Sequence, residues 1–78
     1  MAVTASELAK LLDEIGLRPE VVRALDPGKP LTSQGVDSAD YPAFVALLEE
    51  RFGLDMDKAD TQLLRTLEDF AAYISAKG

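Results

Sequence analysis

The chain has 78 residues, 47% hydrophobic and 28% charged, and fourteen acidic against eight basic side chains leave a net charge of −6. That balance argues against nucleic acid and anionic membrane surfaces as partners, because phosphates and acidic headgroups would repel it. With no cysteine there is no disulfide framework, and with no histidine either, the usual bases and thiol nucleophiles are missing.

The first predicted helix covers about residues 5–15. Thr4 followed by Glu7 is a capping-box spacing. Leu8, Leu11, Leu12 and Ile15 recur at helical intervals and make one apolar face. Gly16 suits the left-handed residue that ends a helix, and Pro19 stops continuation. Pro19 can itself open a short helix, "PEVVRAL" (19–25). "DPGKP" (26–30) is turn chemistry. Residues 16–36 are therefore a long connection with at most one short helix, and connections of that length tend to be functional or disordered.

The strongest helical pattern begins at residue 39 or 42 and ends at Phe52, closed by Gly53. Tyr41, Phe44, Val45, Leu48 and Phe52 form its core face, and Ala39, Ala43, Ala46 and Glu50 the opposite, small and partly acidic face. "LDMDKADTQLL" (54–64) holds at most one short helix. The last helix runs from about 67 to 76, with Thr66 as N-cap, Asp69 three residues on, and Leu67, Phe70, Ala71 and Ile74 as its apolar face. No segment reads as a strand, as a secretory leader or as a membrane span. The expectation is one domain over residues 1–78, all-α, a small four-helix bundle of three main helices and a short one with a long first loop. The default compartment is the cytoplasm.

Chemistry is sparse. Zinc sites rely on Cys or His, and "DMDKAD" (55–60) lacks the glycine and terminal glutamate of a calcium loop, so it reads as a solvated acidic turn. The stretch that asks for an explanation is "GVDSAD" (35–40). The plain reading makes Asp37 or Ser38 an N-cap, with Asp37 and Asp40 complementing the helix dipole. The functional reading uses the same ground. A helix N-terminus favours a phosphate ester, and a serine there needs no base of its own if a modifying enzyme supplies one.

"LTSQGVDSADYPAFVALLEERFGLDM" followed by "LLRTLEDFAAYI" resembles the acyl carrier protein family over nearly the whole chain. The resemblance implies a carrier and not an enzyme. It implies that Ser38 is esterified with 4′-phosphopantetheine taken from coenzyme A, whose thiol holds acyl or aminoacyl groups as thioesters. It places Asp37 at the acidic position before that serine, and Asp40, Glu49 and Glu50 at positions gripped by basic partner enzymes. Those partners are a phosphopantetheinyl transferase and the enzymes that load and receive the acyl group in fatty-acid, polyketide or related biosynthesis. A monomer is expected, because a carrier needs an uncovered face.

Three positions depart from the family pattern. Ala39 stands where a docking Leu is usual, Ala43 where an acidic residue is frequent, and Pro42 where an ordinary helix residue is expected. Pro42 can delay the helix by about a turn, and it biases Tyr41 away from helix. An acyl chain folding back between helices has Val36, Phe44, Leu63, Leu64 and Ile74 as apolar candidates, which read equally as core. The competing reading from another class is an unmodified helical interaction domain that docks through the Ala-rich face of residues 39–50.

Overall fold

A computed structural model describes residues 3–77. In chain order the elements are α1 (Ala5–Glu14), α2 (Pro19–Arg23), two 3₁₀ turns (Leu31–Gln34 and Ser38–Asp40), α3 (Tyr41–Phe52), α4 (Lys58–Thr61) and α5 (Leu67–Lys77). No strand occurs among the described residues. The three long helices are those expected, and each is bounded by the local chemistry that marks it in the sequence. The Glu7 N–H donates to Thr4 Oγ1 at 3.2 Å at the start of α1. Ahead of α5, Asp69 N–H donates to Thr66 Oγ1 at 3.0 Å while the Asp69 carboxylate accepts from Thr66 N–H at 3.2 Å, a reciprocal cap. Gly53 ends α3 in the left-handed conformation (φ 64°), where a Cβ would be strained.

The core lies where α1, α3 and α5 meet. Leu8, Leu12, Leu48, Phe70 and Ile74 are completely buried. Phe70 meets two rings of α3 edge-on, Phe44 at 5.1 Å and Tyr41 at 6.1 Å between centroids. With only three Phe and two Tyr in the chain, this trio contributes most of the aromatic packing. The radius of gyration, 11.3 Å, is close to the roughly 11.5 Å expected of a compact chain this long.

The connection from α1 to α3 is ordered, and it carries a 3₁₀ turn beyond the single short helix expected of it. Its anchor is Leu31, which is fully buried. Leu31 N–H donates to the Arg65 carbonyl at 2.8 Å, and Glu68 N–H donates to the Pro27 carbonyl at 3.1 Å, so the loop is tied to the start of α5. Gln34 closes it internally: its Oε1 accepts from Asp26 N–H at 2.6 Å and its Nε2 donates to the Asp26 and Lys29 carbonyls at 3.0 and 3.1 Å. The two prolines that punctuate this stretch hide the turn, since the ties that stabilise it come from Arg65 and Glu68, thirty or more residues away. α4 is the short helix allowed for in the 54–64 stretch.

The Tyr41–Pro42 junction differs from expectation. Tyr41 is helical (φ −60°, ψ −45°) despite preceding a proline. Steric bias against helix at that position is modest, and it is outweighed by the edge contact of Tyr41 with Phe70. Pro42 sits in the first turn of α3, where its missing N–H breaks no helical bond.

Candidate functional site

The chain reaches the site through Gly35, which adopts φ +93° at the end of the first 3₁₀ turn; an added Cβ would be strained there. This reversal sends Val36 into the core (2% exposed) and brings Asp37 to the surface. Asp37 is extended and caps the second 3₁₀ turn. Its carboxylate accepts from Ala39 N–H at 3.1 Å, and the Asp40 carboxylate accepts from Asp37 N–H at 3.2 Å. The two aspartates thus satisfy the backbone donors on either side of Ser38. The D-x-x-D spacing was available in the sequence as a capping box, though only the single cap is expected there.

Ser38 therefore stands on a rigid, exposed turn one step ahead of α3. Its hydroxyl makes only a 3.5 Å contact with Asp37 Oδ1, at the outer limit of a hydrogen bond. Among the described residues no other group bonds to this hydroxyl. The plain and functional readings of "GVDSAD" coexist here: Asp37 is the cap, which leaves Ser38 uncommitted.

From Ser38 a groove of about 530 Å³ runs along α3 toward the α3–α4 connection. Its α3 wall is Tyr41, Pro42, Val45, Ala46 and Glu49; the opposite wall is Met56, Thr61 and Gln62. The five apolar candidates for a buried acyl chain do not line it. Val36, Phe44 and Ile74 are core, Leu64 is partly buried, and Leu63 is 74% exposed. Of the groove residues, the sequence marks Ser38 as the attachment point and Glu49 as a partner contact and sets Ala46 on the docking face; Tyr41, Pro42, Val45, Met56, Thr61 and Gln62 carry no site role there. The signal was the spacing of Ser38, Tyr41, Pro42, Val45 and Glu49, three or four apart along one side of the helix.

The residues expected to meet partners fall into two places. Ala39, Ala43 and Glu50 are exposed on the outward face of α3, whereas Ala46, expected with them and also exposed, lines the groove. Glu49 is not with them. It is half-buried on the groove side, and its Oε2 accepts from Met56 N–H at 2.9 Å, holding the α3–α4 connection against the helix. Asp40 is likewise half-buried and occupied by Asp37 N–H. The strongly acidic stretch is nonetheless local: seven acidic and two basic residues lie between 37 and 60, so this stretch carries five of the six net negative charges. Arg51, one of the two basic residues, is turned to Glu14 of α1 at 2.9 Å.

Tyr41 differs from the rest of the groove. Burial pushes its phenol ionisation above the ordinary value, and the charge of Arg65 draws it partway back. Among the described residues no acid, cysteine or histidine cluster could hold a metal ion. No helix among them is long and apolar enough to cross a membrane.

Comparison with known proteins bears on what this arrangement carries. The family model described as the phosphopantetheine attachment site matches residues 4–74. The chain is similar to the acyl carrier protein of Bdellovibrio bacteriovorus, at 31% identity over 87% of this chain and 85% of that one. It is similar to the acyl carrier proteins of Nitratidesulfovibrio vulgaris, at 30% identity over 86% of each chain, and of Chlamydia muridarum, at 29% over 88% of this chain and 87% of the other. No solved structure gave a match.

Proposed function

Because the chain belongs to the phosphopantetheine-binding acyl carrier proteins, which are carriers and not catalysts, we propose that Ser38 is its attachment point and that it shuttles thioester-bound acyl groups between enzymes of a biosynthetic pathway. The observation that carries this reading is the uncommitted hydroxyl of Ser38 on a turn pinned from both sides by Asp37 and Asp40. When bound, the arm supplies a thiol, which the chain itself lacks. The residues at hand fit such an arm: an exposed serine opens onto a groove of about 530 Å³ with both apolar and polar walls. Asp37 contributes by fixing the turn, and Pro42 by stiffening the start of α3 behind it.

Partner enzymes, a phosphopantetheinyl transferase among them, are read as basic surfaces that approach the acidic 37–60 stretch. Exposed ion pairs are individually weak and screened by salt, so these encounters are brief, as a shuttle needs. Ala39, Ala43 and Glu50 form the contact face; Asp37, Asp40 and Glu49 contribute field more than free contacts, since Asp40 and Glu49 already hold backbone donors. A monomer in the cytoplasm is the corresponding state. Incubation with coenzyme A and a permissive transferase is expected to raise the intact mass by one phosphopantetheine, mapped by peptide analysis to Ser38. A folded protein that takes no arm from several transferases would favour the unmodified interaction domain instead.

The small face of α3 points to a specialised carrier, for one dedicated acyl chain, polyketide, lipid or amino acid. Ala39 and Ala43 trim one apolar and one charged contact from the outward face. The pair Ala39→Leu with Ala43→Glu is expected to raise turnover with fatty-acid synthase enzymes by roughly tenfold, the size of one recovered apolar contact and one ion pair. Unchanged turnover would remove these two positions from the account of specialisation.

A further inference from the structure

The aromatic side chains of this protein are placed where they bear on its cargo. Three of the five, Tyr41, Phe44 and Phe70, form one stack across α3 and α5. Phe70 is the middle ring, edge-on to Phe44 at 5.1 Å and to Tyr41 at 6.1 Å between centroids. Phe44 and Phe70 are at most 1% exposed, whereas Tyr41 is half-buried and lines the groove that begins at Ser38. The stack therefore runs from beside Ser38 into the centre of the core.

The filling continues around the rings. Leu48, Leu67 and Ile74 are at most 2% exposed, and the buried side chains among the described residues are all hydrophobic. Tyr41, Val45 and Met56, the apolar floor of the groove, belong to the core or pack against it. A chain tethered at Ser38 meets this floor before it meets the interior.

Whether the interior admits a guest depends on the shape of what fills it. Flexible, unbranched side chains such as Met repack around an irregular neighbour. A ring is a rigid plate with two torsions, and an edge-on pair fixes both partners. Moving Phe70 aside undoes both ring contacts at once, and a close-packed interior has no room for the displaced ring. An aliphatic group held at Ser38 then has only the open groove and water around it, and each methylene left in water is unfavourable.

We infer that the Tyr41–Phe70–Phe44 stack determines cargo specificity: it shuts the interior to the cargo, so this carrier takes short or polar acyl or aminoacyl groups and not long aliphatic chains. The inference rests on the reading of Ser38 as the attachment point. Groups with few methylenes, or with amino, hydroxyl or oxo substituents, are stable in contact with water and need no shelter between the helices.

A transferase that accepts acyl-coenzyme A is used to load the protein with acetyl, hexanoyl and decanoyl arms, intact mass confirming each product. A chain taken between the helices binds only the folded state, so it would raise Tm as it lengthens. Wild type is expected to keep one Tm across the series, and hydroxylamine to cleave its decanoyl thioester as fast as the matching acyl-pantetheine. Decanoyl wild type is also expected to be retained longer than the acetyl form on a hydrophobic-interaction column, because its chain lies outside. Phe70→Leu and Phe44→Leu each break the stack while keeping an apolar core. In them Tm is expected to climb from acetyl to decanoyl, and cleavage of the decanoyl thioester to slow about tenfold, the reactive state then being about a tenth populated. A wild-type Tm that climbs with chain length, a protected wild-type decanoyl thioester, or equal retention of its acetyl and decanoyl forms would overturn the inference while leaving the carrier reading intact. A flat Tm series in both variants would overturn the assignment to the rings. A folded wild type that gains no arm at Ser38 would overturn both readings.

Discussion

Phe70→Ala is expected to lower the stability of the folded protein by about 3–5 kcal/mol, the range for deleting a fully buried ring. The loss combines the apolar surface no longer removed from water with two edge-to-face contacts, to Phe44 and Tyr41, each adding about 0.5–1.5 kcal/mol beyond area. A chain of this size commands only about 4–12 kcal/mol in total. The variant should therefore lose tens of degrees in Tm, or its cooperative transition altogether. Phe70→Leu keeps most of the volume and is expected to cost about 1–2 kcal/mol. Urea denaturation of the three proteins decides it: a shift below 1 kcal/mol for Phe70→Ala would mean that α5 is not the keystone of the core. Since Phe70 also fixes the Tyr41 ring, the same variant should loosen the groove wall beside Ser38.

What the sequence makes legible here is what is local. The caps at Thr4 and Thr66 are written within four residues, and so is the stop at Gly53, because capping is a contest between a side chain and its own nearby backbone. The apolar faces of α1, α3 and α5 follow from the 3.6-residue period, and all three point inward as expected. The order of the long first loop is not legible, because it depends on Arg65 and Glu68 reaching back to Leu31 and Pro27. The place of Glu49 is hidden for the same reason: helical spacing sets its side of α3, but its bond to Met56 N–H depends on how the following connection folds back. A pairwise rule about proline misses the helical conformation of Tyr41, because the contact that holds its ring is on another helix.

The groove shows the same division on the functional side. Ser38, Asp37 and Asp40 are visible as a motif because their roles are set within one turn. Tyr41, Val45, Met56 and Gln62 become a surface only when the stretch from Met56 to Gln62 folds back beside α3. Sequence spacing places the first two on one side of a helix; the fold decides that a groove lies there.

The sharpest separation of folding from function is expected between two adjacent residues. Ser38→Ala should abolish arm attachment entirely, with no mass gain under conditions that fully convert the wild type. Its stability should change by less than about 0.5 kcal/mol, as for surface positions without special contacts. Ser38 is exposed, and its one side-chain contact, at 3.5 Å to Asp37, is too long to matter. Asp37→Ala should do the reverse in part. It removes the acceptor of Ala39 N–H and the cap of the turn, costing about 1 kcal/mol. It leaves the Ser38 hydroxyl in place, so attachment should slow without vanishing. Intact mass and urea midpoints on the two variants read both axes at once. Arm attachment surviving in Ser38→Ala would place the modified residue elsewhere. A stability loss in Ser38→Ala as large as that of Asp37→Ala would return Ser38 to the role of a cap, with the carrier reading left to stand on the family alone.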